Sequence, residues 1–252
     1  MDRHHDAARL LLSARRDPTQ RLHSLPEAMR PKTEAQAYLI QRAIITDLGG
    51  IGGWKVGSPG PDGPVNCAPL PAAAIQDSPA TITGSDRLVE AEIALRLAYD
   101  LPPRDPPYTR AEVLAAIASA HPAIEVLQTR YLDVAAVDPL SALADSLSHF
   151  GLVVGPAIPG WQSLDLAAET VRLSVNGPEN GAHIKTGAGN PAGDMIRMVL
   201  WLANEGAHWA GGLYAGQVVT TGSWTGKDPV PPGGEARIRF DHAGEAAVQF
   251  TP

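Results

Sequence analysis

The stretch Arg-Leu-Val-Glu-Ala-Glu-Ile-Ala-Leu-Arg-Leu-Ala, residues 87–98, alternates side-chain character along much of its length. One face carries apolar residues at positions 89, 91, 93, 95 and 97, and this period of two is typical of a β-strand buried on one side. Glu90 and Glu92 share the other face, with their roots about 7 Å apart. The stretch therefore predicts a core-facing strand with paired carboxylates, although a solvated polar face would give the same pattern.

A third carboxylate interrupts a second apolar run. Glu125 lies within Ala-Ile-Glu-Val-Leu (123–127), which is predicted to be a buried strand. An isolated buried charge is costly, so Glu125 needs a partner, and Arg130 or Arg96 could supply one. Alternatively, one divalent cation would satisfy Glu125 together with the two glutamates of the first strand. Ligation by oxygen alone favours Mg²⁺ or Mn²⁺ over zinc.

Two further segments could carry chemistry. Lys55 lies in Gly-Gly-Trp-Lys-Val-Gly (52–57), where apolar surroundings would lower the pKa of its amine, although a surface lysine on a loop fits the same sequence. The segment Thr-Gly-Ser-Trp-Thr-Gly (221–226) follows a predicted strand. Its backbone amides, with the hydroxyl groups of Ser223 and Thr225, could bind an anionic ligand, although an ordinary tight turn is the simpler interpretation.

The pattern of the chain changes near residue 53. Before it, Thr33 and Gln36 resemble a capping box that opens a helix, which Gly49-Gly50 ends. After it, short apolar runs alternate with Gly and Pro, which predicts an N-terminal helical region at 1–52 and a β-rich domain at 53–252 in one folding unit. Further helices are predicted from Thr109 to about Ala120, after Asp138 and at 191–205, a hairpin at Asn176-Gly177, and strands at 171–175, 217–221, 235–240 and 245–250.

The composition excludes several classes of protein. Acidic residues outnumber Lys and Arg by 27 to 20, so no nucleic-acid or anionic-membrane partner is indicated. A single cysteine and a charged N-terminus without an apolar stretch favour a cytoplasmic protein. Two long uncharged segments, 146–164 and 206–226, are broken by Gly, Ser, Thr, Gln or Pro, so buried strands and turns are predicted rather than membrane spans.

Six motifs occur in a characteristic order. They are Gly-Trp-Lys-Val-Gly (53–57), Val-Glu-Ala-Glu-Ile-Ala-Leu (89–95), Pro-Ala-Ile-Glu-Val (122–126), Gly-Asn-Pro (189–191), Trp-Leu-Ala-Asn (201–204) and Thr-Gly-Ser-Trp-Thr-Gly (221–226). The ordered set resembles the 2-keto-4-pentenoate hydratase and 2-oxo-3-hexenedioate decarboxylase group of the fumarylacetoacetate hydrolase superfamily. The resemblance covers about residues 35–250.

The resemblance implies an α+β fold, a mixed β-sandwich or roll preceded by N-terminal helices, in a homo-oligomer. It implies Mg²⁺ or Mn²⁺ held by the three glutamates, Lys55 as the active-site lysine, and Ser223 and Thr225 near the substrate carboxylate. The chain departs from the family at 58–87, which is shorter and lacks a clear match to an expected acidic residue. The family's Ala-Asp-Asn-Ala-Ser-Ser-Gly stretch is Ala-Asp-Ser-Leu-Ser-His-Phe here, which keeps Ser148 and loses the asparagine.

The implied activity is that of a metal-dependent lyase that hydrates a small 2-hydroxy-2,4-dienoate. The cation would chelate the C1 carboxylate and C2 oxygen, and Lys55 would move a proton along the conjugated system. Segment 58–82, expected to cover the far end of the substrate, contains no Lys or Arg and suits a monocarboxylate. The alternatives are decarboxylation of a hexenedioate, which needs an extra cation, or a catalytically impaired binding or scaffold protein. C–C hydrolysis ranks last, because no histidine matches the pattern of that branch.

Overall fold

A computed structural model of the chain describes residues 3–84, 87–176 and 183–251. Its helices are α1 (Arg3–Arg16), α2 (Glu34–Asp47), α3 (Arg110–Ala115), α4 (Pro139–Ala144) and α5 (Met195–Trp201). Its strands are β1 (Ile51–Gly57), β2 (Asn66–Pro71), β3 (Ile75–Asp77), β4 (Ala80–Thr83), β5 (Arg87–Leu97), β6 (Ile117–Leu127), β7 (His149–Val154), β8 (Thr170–Val175), β9 (His183–Ala188), β10 (Val218–Thr220), β11 (Asp228–Val230), β12 (Glu235–Phe240) and β13 (Glu245–Thr251). The architecture is α+β, as predicted.

The N-terminal helices form an apolar cluster of their own. The Thr33 side chain caps α2 by accepting a hydrogen bond from the Gln36 amide, and α2 ends before Gly49, whose φ is +90°. Leu11 of α1 and Ile40 of α2 are buried in this cluster, which also includes residues of α4. The N-terminal helices therefore share an apolar cluster with α4, which stabilises their packing on the rest of the chain.

The larger of two mixed sheets carries the predicted glutamate strands. Its eight strands run in the order β2-β1-β10-β5-β6-β7-β3, with β11 also paired to β5. β5 and β6 are antiparallel, and their register sets Glu90 opposite Glu125 and Glu92 opposite Ala123. Because directly opposite side chains lie on the same face of a sheet, this register brings the three glutamates to one face.

The main core lies between the larger sheet and a second, five-stranded sheet of order β4-β13-β12-β8-β9. The apolar face of β5 is completely buried in it, with Val89, Ala91, Ile93 and Leu95 all inaccessible to solvent. Full burial of a Val, Ile or Leu side chain stabilises a fold by about 1.5–3 kcal/mol. The alternation of β5 thus correctly identified the core face.

The other face of the larger sheet is also buried. Beside the glutamates it carries a small apolar cluster made of Leu70, Ala94, Ala123, Leu152, Val154 and Val218. The interpretation of this face as a solvated polar face is therefore wrong, because Glu92 is buried and Glu90 is half-buried beside this cluster.

One predicted helix boundary is wrong near the middle of the chain. The capping box of Thr109 and Glu112 is present, but α3 ends at Ala115 instead of Ala120. Pro122 lies within β6, next to Ala123, which forms the last pair with β7 opposite Val154. A proline is tolerated there because its missing N–H interrupts no pair with β7.

The segment 58–82 is a structural part of the sheets. It contains β2 and β3 of the larger sheet and most of β4 in the smaller one. The loop before β2 is held against α5, where Arg197 Nη2 donates to the Gly60 carbonyl over 3.2 Å. The expectation that 58–82 covers the far end of the substrate stays a prediction, now for a segment made partly of strands. Sequence patterns missed the strands because prolines and alanines interrupt them.

The C-terminal helix and strands are of the types that the sequence predicted. β8 and β9 pair as the predicted hairpin, with Val175 opposite His183, while Gly177 of the predicted turn lies outside the described residues. The predicted helix at 191–205 begins later, at Met195, after an Asp194 cap, and continues as a π-helical turn over 202–206. Within the described ranges, no helix is both long and apolar enough to cross a membrane.

Candidate metal centre

Three carboxylates converge on one face of the larger sheet. Glu90, Glu92 and Glu125 each offer an oxygen, and these oxygens lie within 4.8 Å of one another. Glu125 is 0% exposed and Glu92 2%, whereas Glu90 is half-buried. The spacing fits oxygen ligands around one hard cation, because Mg²⁺–oxygen bonds are about 2.1 Å long. The gradient of burial indicates that the cluster opens to solvent on the side of Glu90.

Burial and crowding disfavour the ionised forms of Glu90 and Glu92. Burial and then the neighbouring Glu125 raise the pKa of Glu90. The same two causes, with Glu90 added, raise the pKa of Glu92 well above its ordinary value. A divalent cation among the three would reverse the effect of the neighbouring charges. The cluster is therefore electrostatically incomplete on its own.

Lys55 is the direct cationic partner of Glu125. It lies in β1, not on a surface loop, and its Nζ donates to Glu125 Oε1 over 2.8 Å. Burial lowers the pKa of Lys55, but Glu125, Glu90 and Glu92 raise it by more, so the net direction is upward. The expected lowering is wrong, because the amine is surrounded by carboxylates as well as by apolar groups.

The arginines considered as partners for Glu125 are used elsewhere. Arg130 forms a buried ion pair with Asp145, and Arg96 donates to the carbonyl of Gly216 over 3.1 Å. Burial raises the pKa of Glu125, but Lys55 and His149 lower it to about 2. Glu125 is thus the one carboxylate of the cluster that the chain itself keeps ionised.

The loop at 221–226 borders the glutamates. The Gly222 amide donates to Glu92 Oε2 over 3.3 Å. The Ser223 hydroxyl accepts from the Gly226 amide over 2.9 Å, and its hydrogen bond contributes to lowering the pKa of Glu90. The structure therefore brings Ser223 to the more open side of the cluster.

Thr225 fastens this loop to the core strand. Its hydroxyl accepts from the Ala91 amide over 3.2 Å and donates to the Gly226 carbonyl over 3.0 Å. The loop also packs against Gly187, where a Cβ atom would lie only 2.0 Å from the Trp224 carbonyl oxygen. A glycine is therefore required at position 187. Because the Thr225 hydroxyl already forms two hydrogen bonds with the backbone, its role is to hold the loop in place.

Ser148 and its neighbour differ in what they contact. The Ser148 backbone bonds to the Asp145 carbonyl and the Gln128 amide, at 3.0 and 2.9 Å. The next residue, His149, places Nδ1 2.9 Å from Glu125 Oε1, and its side chain is 1% exposed. Burial lowers the pKa of His149 to about 4, against the opposing influence of Glu125.

Sequence reasoning missed His149 as a site residue. The available signal was the departure at 144–150, where Ser-His-Phe follows Leu147 in place of the family's Ser-Ser-Gly. That departure drew attention to Ser148 and to the lost asparagine. The histidine beside them shows no ligand spacing, and only the pairing of β7 with β6 carries it to Glu125.

No protein-family model matches the chain. It is 32% identical over 163 residues to 2-hydroxyhexa-2,4-dienoate hydratase of Comamonas testosteroni, which is 64% of this chain and 59% of that protein. It is 30% identical over 165 residues to 2-keto-4-pentenoate hydratase of Paraburkholderia xenovorans, 64% of this chain and 58% of that protein. The chain thus spans about three fifths of the length of the curated relatives it matches.

A solved structure shares the fold over nearly the whole chain. It is 4-oxalocrotonate decarboxylase from Pseudomonas putida G7, complexed with magnesium and adipate, with a TM-score of 0.81 and 24% identity. The superposition covers 98% of this chain and 97% of that one. The sequence relatives confirm the resemblance to the 2-keto-4-pentenoate hydratase and 2-oxo-3-hexenedioate decarboxylase group, and the solved structure shows that the fold is shared.

Proposed function

We propose that the protein is a metal-dependent lyase that hydrates a small 2-hydroxy-2,4-dienoate, with Mg²⁺ or Mn²⁺ as its cofactor. The observation that carries this proposal is the buried cluster of Glu90, Glu92 and Glu125 facing Lys55. The donor set fits a hard cation, since it consists of carboxylate oxygens. Glu125 Oε2 is also buried and makes no hydrogen bond to any described residue, which leaves it available as a ligand.

The bound cation would polarise the substrate's carboxylate and adjacent oxygen, so that charge developing along the conjugated chain is stabilised. Lys55 would supply the proton chemistry. Its Nζ lies 2.8 Å from Glu125 Oε1, so a proton on the amine is held beside the cluster and a deprotonated amine can accept one there. The half-buried Glu90 marks the side from which a small acid can enter.

The loop at 221–226 would orient the substrate. Ser223 lies beside Glu90 and Gly222 beside Glu92, so a hydroxyl and backbone amides border the ligand oxygens. Thr225 would act indirectly by holding the loop on β5. Ser148 remains a predicted substrate contact, supported by its position next to His149.

Two observations bear on the choice of reaction. Relatives at 32% and 30% identity are hydratases, which supports water addition. Decarboxylation is the second candidate, supported by 26% identity over 176 residues to 4-oxalocrotonate decarboxylase of Pseudomonas sp. (strain CF600).

A scaffold protein without chemistry is disfavoured by the cost of the cluster. Burial of several like charges destabilises a fold, and replacement by apolar residues of similar volume is often neutral or stabilising. Retention of three buried carboxylates with a lysine is explained by a bound cation and not by packing.

Our proposal extends to the organisation of the chain. The larger sheet would belong to a β-sandwich or roll, with 1–52 as a helical region packed on the catalytic part at 53–252. The protein would act as a homo-oligomer. Size-exclusion chromatography with light scattering tests the last point.

The reaction is tested with purified protein and Mg²⁺ on two substrates. Loss of the dienoate absorbance of 2-hydroxypenta-2,4-dienoate, abolished by EDTA and restored by Mg²⁺, is expected. Glu92→Gln is the matched variant, since it removes one charge and keeps the side-chain shape. Release of CO₂ from 2-oxo-3-hexenedioate, without water addition to the first substrate, would establish the decarboxylase instead. Inactivity on both, with no metal bound, would support the scaffold.

A further inference from the structure

We infer that His149 is a positioning residue that holds Glu125 in the orientation needed for the cation, an inference that rests on the proposed metal-dependent function. Its Nδ1 lies 2.9 Å from Glu125 Oε1. An ionised carboxylate can only accept hydrogen bonds, so Nδ1 carries the hydrogen of this contact. The imidazole is therefore a fixed donor to one oxygen of a proposed ligand.

Two donors share Glu125 Oε1, and Oε2 is left available to a cation. Lys55 Nζ also donates to Glu125 Oε1, over 2.8 Å, while Oε2 has no hydrogen-bond partner among the described residues. Donors arriving from β1 and from β7 restrain rotation of the carboxylate about its last bond. Hydrogen bonds to a ligating carboxylate commonly orient it and tune its affinity for the metal.

The backbone holds His149 in turn. Its carbonyl accepts from Arg15 Nη1 over 2.8 Å and from Arg130 Nη1 over 2.7 Å. The three preceding residues, Ser146–Ser148, have φ values of +50°, +54° and +67°. Such backbone costs a non-glycine residue about 1–2 kcal/mol each. The chain thus accepts local strain where it turns the histidine toward β6.

Simple packing does not explain this side chain. His149 is 1% exposed, and its Nε2 is buried without a hydrogen-bond partner in the described part of the chain. A buried unsatisfied polar atom destabilises a fold, so leucine, of similar volume, would fill the same space at lower cost. The contact between Nδ1 and Glu125 is the interaction that leucine could not replace.

The experiment measures Mn²⁺ binding by electron paramagnetic resonance, without substrate, on the full chain. In His149→Asn the side-chain amide can reach the position of Nδ1, whereas in His149→Gln it reaches that of Nε2. We expect His149→Gln and His149→Leu to weaken Mn²⁺ binding by about 10–100-fold and His149→Asn to stay within about threefold of the parent. His121→Asn is the matched control, because His121 is buried on β6, bonded to Ser119 and to the Gly155 carbonyl.

The outcomes separate the inference from the proposed function. Parent-like Mn²⁺ affinity in His149→Gln, or equal weakening in the Asn and Gln variants, would overturn the positioning role and leave the metal-dependent function standing. Failure of the parent protein to bind Mn²⁺ would overturn both. Circular dichroism melts accompany each variant. If His149→Leu does not fold, the comparison of His149→Asn with His149→Gln tests the positioning role, since both variants keep a polar side chain at this position.

Discussion

Both faces of β5 are largely removed from solvent, yet one stabilises the fold and the other carries the candidate metal site. On the core face, Ile93 and Leu95 are fully removed from solvent among apolar neighbours and stabilise the fold. On the other face, Glu90 and Glu92 lie against Glu125, where burial and mutual repulsion raise their pKa values. Burial alone therefore does not distinguish a stabilising face from a functional one. The chemistry of the partners does.

The largest expected effect is a loss of turnover when Lys55, the partner of Glu125, is replaced. Lys55→Met should lower turnover about 10²–10⁴-fold, the usual contribution of a general acid or base. It should also destabilise the metal-free protein, because Glu125 loses a partner in a buried ion pair. Lys32→Met is the control, since Lys32 is an exposed lysine that precedes α2. Turnover close to the parent's in Lys55→Met would remove the lysine from the chemistry.

The next effect belongs to the core face. Ile93→Ala should lower the free energy of unfolding by about 2–5 kcal/mol, as expected for a large-to-small change at a fully buried site. Mg²⁺ affinity of the folded protein should stay unchanged, because Ile93 points away from the glutamates. Urea unfolding and calorimetric titration measure the two quantities. A parallel loss of affinity would mean that the two faces are coupled through the strand.

Cation binding should make the polar face stabilising. At a Mg²⁺ concentration 100 times its dissociation constant, binding to the folded state alone adds about 2.7 kcal/mol. For a chain of 252 residues this corresponds to a rise in Tm of about 5–10 °C. Differential scanning calorimetry with and without EDTA measures it, and the same rise in a Glu92→Gln variant would argue that the ion binds elsewhere.

The smallest effect has the opposite sign from the core substitution. Without metal, Glu92→Gln should raise the free energy of unfolding at neutral pH, because the amide leaves no carboxylate charge to be buried beside Glu125 and Glu90. A carboxyl whose pKa is raised by folding destabilises the folded state by an amount that grows as pH rises above the ordinary carboxyl pKa and levels off above the raised pKa. The amide removes this destabilisation, so the gain should appear at neutral pH and vanish in acid. A destabilised variant at neutral pH would show that ionised Glu92 is well solvated or paired.

Much of the fold could be predicted because its signals are local. The alternation of β5, the capping box of Thr109 and Glu112, and the cap at Thr33 all depend on neighbouring residues, and all are present. Predictions failed where a competing long-range contact won. The helix predicted to reach Ala120 gives way to β6 because that stretch pairs with β5 over most of its length.

For the candidate site, the sequence by itself determined the kinds of group and two of their positions. The spacing of Glu90 and Glu92 places them on one face, and a carboxylate in an apolar run marks Glu125 as needing a partner. Only the tertiary structure decided which partner: Lys55, 70 residues away, instead of Arg130, five residues away. It also added His149, which carried no ligand pattern. The physical reason is that periodicity and capping act between near neighbours, whereas a buried charge is satisfied by whatever the register of β1, β6 and β7 brings within hydrogen-bond distance.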